Sequence, residues 1–201
     1  MRIPHRFLQT LAVAILALSA INACGNEASQ NAPVPGVIAL SDAFTGEFAL
    51  TDQHGAPISD EDLKGKVMLV YFGFTNCPDV CPGDVGVMSA ALNALGEEAA
   101  QIAPIFISVD PARDTPAALK SYFGFDDRII ALTGDESASK TARAGFNVYA
   151  AIEELPDSAL GYTVNHLRMF FVTNRDGQPV LAIPGAMATP ESLADLLRRN
   201  I

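Results

Sequence analysis

The 201-residue chain carries 13 Lys and Arg against 23 Asp and Glu, a formal net charge of −10. Hydrophobic residues make up 49% and charged residues 18%, which excludes disorder along the whole chain and leaves room for one sizeable domain. There is no basic run, aromatics are only 7% with no Trp, and three Cys with three His are too few for a multi-zinc scaffold. Nucleic-acid binding is therefore excluded on charge and on stacking surface alike.

Arg2, His5 and Arg6 precede an apolar run from Phe7 to Ala20, interrupted only by Gln9, Thr10 and Ser19. The run is too short for a permanent span and fits the core of a secretory signal peptide. It ends in Ile21-Asn22-Ala23-Cys24-Gly25, a small residue ahead of a Cys, which resembles a bacterial lipobox. Asn22 and Ile21 depart from the residues commonest there. The expectation is a lipoprotein signal peptide over 1–23 and lipidation of Cys24, the alternative being an ordinary signal peptide. Losing 1–23 removes Arg2 and Arg6 and no acid, so the exported domain is still more acidic. Attachment to an anionic membrane then rests on acyl chains and not on charge. Export also means an oxidising compartment, where a Cys pair can form a disulfide.

Gly25 to Gly36 is rich in Asn, Ala, Ser, Pro and Gly, so residues 24–43 read as the lipidated Cys and a flexible tether ahead of a domain over 44–201. Phe44 to Leu50 and Ile58 flank the turn Thr51-Asp52-Gln53-His54-Gly55 and predict a hairpin. Lys66 to Phe74 (KVMLVYFGF) is a continuous apolar β-prone run and predicts a buried central strand. Pro82 to Leu95 has Val85, Met88, Ala91, Leu92 and Leu95 at helical spacing. Ile105 to Val109 predicts a second buried strand. Thr115-Pro116 then reads as an N-cap with Pro at the first helical position, opening a helix to about Phe123. Ile129 to Leu132 predicts a strand and Ser137 to Phe146 a helix. Arg168 to Thr173 and Val180 to Ile183 predict a hairpin about Asn174-Arg175-Asp176-Gly177, and Pro190 to Arg199 a closing helix. Alternating strands and helices, with crossovers long enough for parallel pairing, give an α/β fold, read as a central mixed sheet flanked by helices with an added N-terminal hairpin. The central strand running into a helix that begins with Cys is the topology of a thioredoxin-like redox or metal site.

The chemistry lies in Thr75-Asn76-Cys77-Pro78-Asp79-Val80-Cys81-Pro82, at the junction of the central strand and its helix. Four positions apart, the two Cys share one side of a first helical turn, within disulfide reach or able to hold one metal ion. The positive helix N-terminus favours thiolate. His54 lies in a polar turn. His166, ahead of the strand Arg168 to Thr173, sits where a strand-preceding loop faces the Cys-bearing turn, and is the candidate third ligand. Two Cys and one His prefer copper or zinc over magnesium or calcium, with copper favoured because no fourth fixed ligand stands out. Asp110, Arg113 and Asp114 read as a locally paired loop. Met68, Met88, Met169 and Met187 are scattered and read as core or surface fillers and not as a methionine copper site.

The chain resembles the SCO/SenC family of thioredoxin-like copper proteins. The likeness is carried by Tyr71 to Pro82, by Ser108-Val109-Asp110-Pro111-Ala112-Arg113-Asp114-Thr115-Pro116 and by His166 ahead of its strand, and it covers roughly residues 44–199. It implies Cys77, Cys81 and His166 as copper ligands and a metallochaperone that helps assemble the CuA centre of cytochrome c oxidase. The partner would be the copper-bearing subunit of a terminal oxidase, and the location a lipid-anchored, periplasm-facing one at the inner membrane. Some members of the family instead act as thiol-disulfide reductases. Here Cys77 would attack, Cys81 resolve, and a thiol-disulfide reductant restore the pair. The residue before the His is commonly Asp in the family and is Asn165 here, and Leu167 replaces a small polar residue. With Asn165 a carboxylate that would help orient His166 is absent.

Overall fold

The computed structural model describes residues 33–201, and its compact unit runs from Val34 to Ile201. The expected signal peptide, Cys24 and the first part of the tether lie outside the described residues. In chain order the strands are β1 (Ile38–Ala39), β2 (Ala49–Asp52), β3 (Pro57–Ser59) and β4 (Val67–Gly73). Helix α1 (Val80–Leu95) leads to β5 (Ile102–Ser108), α2 (Pro116–Tyr122), β6 (Ile130–Thr133) and α3 (Glu136–Gly145). Then come β7 (Ala150–Leu155), β8 (Gly161–His166), β9 (Met169–Thr173), β10 (Pro179–Pro184) and α4 (Pro190–Arg198).

Eight strands form one mixed sheet in the order β1-β10-β9-β4-β5-β6-β2-β3, while β7 and β8 pair as a separate hairpin. β4, β5 and β6 are parallel, and β9 runs antiparallel to β4. Every residue of β4 and β5 is buried, as a strand covered on both faces requires. Pro104 is tolerated inside β5 because pairing with β6 starts only at Ile105. The alternation of β4 divides the core. Tyr71 meets Phe106 and Phe170 and bonds to α1 on one face, and Phe72 meets Phe146, at the end of α3, and Phe171 on the other. Helix α4 packs along α1.

The expected N-terminal hairpin is β2–β3, joined to the sheet edge through β6. Asp52 Oδ1 closes its turn by accepting from the N–H groups of His54 and Ala56. Thr115 caps α2 with Pro116 in the first turn, as its sequence indicates.

Some details depart from the sequence reading. Helix α1 begins at Val80, so Pro82 is its third residue, which a first turn accepts because that N–H has no intrahelical partner. Cys77 therefore precedes the helix and only Cys81 lies in it. Order begins earlier than residue 44: Ile38 and Ala39 pair with β10. Finally, the segment before β9 is a hairpin and not an irregular loop, so His166 is the last residue of β8, opposite Ala150.

Candidate metal centre

β4 ends in the middle of the sheet and delivers the chain into the loop that bears Cys77. The loop is fastened by Asp114, fully buried, whose carboxylate accepts from the Thr75 N–H at 3.1 and 3.2 Å, the Thr75 hydroxyl at 2.6 Å and the Ser108 hydroxyl at 2.6 Å. Burial outweighs those bonds and raises the Asp114 carboxyl above its ordinary value. The local pairing expected of this loop is present between Arg113 and Asp110 at 2.5 Å, but Asp114 reaches beyond its own loop to hold the cysteine segment.

Both thiols are free and both are buried, Cys81 completely. They are electrostatically unlike. The Cys77 thiol is brought down from 9.0 to about 5, chiefly by a hydrogen bond from Cys81. Burial opposes the shift, and the backbone N–H groups of Asp79, Cys81 and Val80 at the start of α1 add to it. Cys81 is pushed up because it donates that bond and because it is buried. The Asp79 side chain is exposed and makes no capping bond, so its backbone contributes to the site and its carboxylate does not tune it by contact.

Strand periodicity brings His166 inward. Tyr162, Val164 and His166 share the face of β8 that lies on the domain: Val164 is buried, the Tyr162 hydroxyl donates to Asp110 at 2.8 Å, and His166 Nε2 stands 3.7 Å from Cys81 Sγ. Arg113 clips the hairpin down, stacking 3.7 Å over the Tyr162 ring and donating to the Leu160 and Tyr162 carbonyls. His166 Nδ1 lies 3.2 Å from the Leu167 carbonyl, which accepts its proton and leaves the Nε2 lone pair facing the sulfur. Tyr71 and Phe74 meet the imidazole edge-on at 6.5 and 5.9 Å. Burial lowers its pKa and keeps it neutral, the form that binds metal.

A soft metal bonded at about 2.3 Å to sulfur and about 2.0 Å to nitrogen, at an angle between tetrahedral and trigonal, sets those donors roughly 3.5–3.7 Å apart. The Cys81–His166 separation fits that geometry. Among the described residues no three His, Cys, Asp and Glu side chains are already closed about one point. Cys81 and His166 stand at a metal-bridging distance, and Cys77 is hydrogen-bonded to Cys81 beside them.

The family described as SCO1/SenC matches residues 38–201. The chain belongs to the SCO1/SenC family. Fission yeast Protein sco1 (Schizosaccharomyces pombe) is 38% identical over 152 residues, which are 74% of this chain and 57% of that protein. This SCO1/SenC chain thus spans little more than half the length of that curated relative. Bradyrhizobium japonicum ScoI, solved with copper bound, superposes with a TM-score of 0.72 at 39% identity, covering 79% of this chain and all of that one. BsSco, described as having a disulfide switch and as a member of the Sco family of cytochrome c oxidase assembly proteins, gives a TM-score of 0.63 at 27% identity over 81% of this chain and 95% of that one. The thioredoxin-like fold is shared with these Sco structures.

The structure brings together Cys77, Cys81 and His166 and leaves His54 exposed in the β2–β3 turn, at the far edge of the sheet. Met68 and Met88 are fully buried packing residues, and Met187 is exposed. Asn165 faces away from the site and donates to Glu153 at 2.5 Å across the hairpin, so the orientation of His166 does not depend on it. Sequence reasoning missed Asp84, Arg168 and Tyr71. The available signal was an acid three residues past Cys81, among the apolar positions of α1.

Proposed function

We propose that this chain is a metallochaperone that binds copper through Cys77, Cys81 and His166 and delivers it to the CuA centre of cytochrome c oxidase. A lipid on Cys24 holds it to the inner membrane, facing the periplasm, and its partner is the copper-bearing subunit of the oxidase. The observation that carries the reading is the neutral imidazole of His166 at 3.7 Å from Cys81, with a free second thiol beside it. Two thiolates satisfy Cu(I), and the imidazole adds a donor suited to Cu(II). A set of three, with no fixed fourth ligand among the described residues, leaves a position through which a partner's ligand can enter. The copper-bound relative supports this choice of metal.

The test is metal analysis of the reduced chain with copper and zinc in competition, followed by incubation with the copper-free oxidase subunit. The expected results are one copper per chain, a sulfur-to-copper charge-transfer band and transfer to the subunit. Preference for zinc, or copper retained in the presence of the subunit, contradicts the reading.

The unlike thiols favour a second reading, reduction of a target disulfide. Cys77 thiolate attacks one sulfur of the target, forming a mixed disulfide and releasing a target thiolate. Cys81 then gives its proton to the released target thiolate and attacks Cys77 Sγ, expelling the second target sulfur, which takes a proton from solvent. The target leaves with two thiols and the Cys77–Cys81 pair leaves oxidised. His166→Ala separates the two readings, since disulfide exchange survives it and the three-ligand copper complex does not.

A further inference from the structure

His166 is the end of a strand in a two-stranded hairpin, and the hairpin is not part of the main sheet. Its inward face and the Arg113 clip hold it near the tip, at Leu160 and Tyr162. A second fastening lies at the other end, next to the histidine. Arg168, two residues after His166, places its guanidinium on Asp84 as a fork: Nε donates to Oδ2 and Nη2 to Oδ1, each at 2.5 Å. Asp84 belongs to α1, three residues after Cys81, and is almost fully buried. The Tyr71 hydroxyl donates to the same Oδ2 at 2.7 Å, and the Tyr71 ring meets His166 edge-on. Asp84 is enclosed and Arg168 is part-exposed, and Gly185 packs against both: a Cβ there would stand 2.6 Å from Asp84 Oδ2 and 2.9 Å from Arg168 Nε, so the backbone approaches closely only because it is glycine. Gly185 also donates its N–H to the Arg168 carbonyl at 3.1 Å.

We infer that Asp84 and Arg168 are positioning residues for the metal centre: their ion pair ties the two-residue link after His166 to the helix that carries Cys81, and so presets the imidazole against that sulfur before metal arrives. Both ends of the Cys81–His166 separation are then referred to one rigid body. A planar, bidentate guanidinium suits this role because it fixes direction as well as distance. The short link transmits that direction to the Leu167 carbonyl, whose bond to Nδ1 selects the tautomer with Nε2 free. The inference rests on the proposed copper reading for its consequence in metal binding, but the preset imidazole is a property of the metal-free chain.

Two substitutions test it. Asp84→Asn keeps the shape and an acceptor for Tyr71 while removing the charge. Arg168→Lys keeps the charge and removes the fork. In the metal-free, reduced full-length chain, nitrogen-15 NMR of the His166 ring reads the tautomer directly. The wild type is expected to show Nδ1 protonated and Nε2 bare, and both variants an averaged ring. In the copper-loaded chain, loss of an orienting partner lowers Cu(II) affinity by about 10–100-fold, while Cu(I), held by the two thiolates, changes by less than about threefold. Asp84→Glu, which keeps the carboxylate, is expected to restore part of the Cu(II) affinity. Wild-type ring signals in both folded variants would overturn the inference. So would an equal loss of Cu(I) and Cu(II) affinity, the mark of general damage. If the wild-type chain takes up no copper, the copper reading has failed, and the ring signals alone decide the inference.

Discussion

The asymmetry between the two thiols makes a prediction that can be worked through in numbers. With a Cys77 pKa of about 5, the thiol is about 99% thiolate at pH 7, against about 1% for a thiol at the ordinary 9.0. That is a gain of about 100-fold in the reactive form. A less basic thiolate is also a poorer nucleophile, and a Brønsted coefficient of about 0.4–0.5 over this interval removes roughly 40- to 100-fold. The two effects nearly cancel, so the alkylation rate at neutral pH is uninformative and the pH profile is decisive. The assay is iodoacetamide labelling of the reduced, metal-free chain from pH 4 to 10, with Cys77 and Cys81 resolved by peptide mass spectrometry. Cys77 is expected to reach a plateau above about pH 6, with Cys81 unreactive throughout. Cys81→Ala removes the principal donor and should move the Cys77 midpoint up, whereas Cys81→Ser, which keeps a hydrogen, should move it less. A wild-type midpoint near 8.5–9, or no movement in Cys81→Ala, would refute the reasoning. The linked stability has a definite sign. Between about pH 5 and 9.0 the unfolded chain holds a proton on Cys77 that the folded chain has lost, so this group's contribution grows as pH rises and is lost as pH falls towards 5.

Asp114→Ala leaves the Thr75 N–H, the Thr75 hydroxyl and the Ser108 hydroxyl without their shared acceptor, at about 1–3 kcal/mol for each group left unpaired. Thermal melts should fall, and amide exchange should speed up first at Thr75 to Cys77. Asp114→Asn should be milder, because burial already disfavours the charge it removes. Gly145→Ala places a Cβ 2.8–2.9 Å from the backbone O and N of Glu47, which cannot rotate aside as a side chain could. A loss of about 1–3 kcal/mol in denaturant unfolding is expected, and an unchanged midpoint would contradict the close approach. Arg113→Ala removes the clip on Tyr162, Leu160 and Asp110, so limited proteolysis should cut the β7–β8 hairpin faster than in the wild type.

The frame of the molecule is legible residue by residue. The unbroken apolar run from Val67 to Phe74 demands a strand covered on both faces, and Thr115-Pro116 announces its helix through capping chemistry that needs no tertiary context. The cysteine spacing and the candidate histidine are equally visible, because few residue types bind soft metals. What stays hidden depends on partners far apart in sequence. The β7–β8 hairpin lacks a clean alternation, since Glu153 and Glu154 follow one another on exposed positions, and its inward face is defined only by what it lies on. Asp84 and Arg168 are 84 residues apart; the acid's place among the apolar positions of α1 hints at burial, but nothing local names the arginine as its partner. Cys77 reads as part of a helical turn only if Pro82 is the first helical residue, and proline is tolerated as far in as the third.

X-ray absorption on the copper-loaded chain, compared with His166→Ala, reads whether the imidazole is bound to the metal. Two sulfur scatterers and one nitrogen from imidazole are expected in the wild type, with the imidazole signal absent in the variant and Cu(II) affinity falling with it. An identical copper environment in the two chains, built from sulfur alone, would contradict ligation by His166.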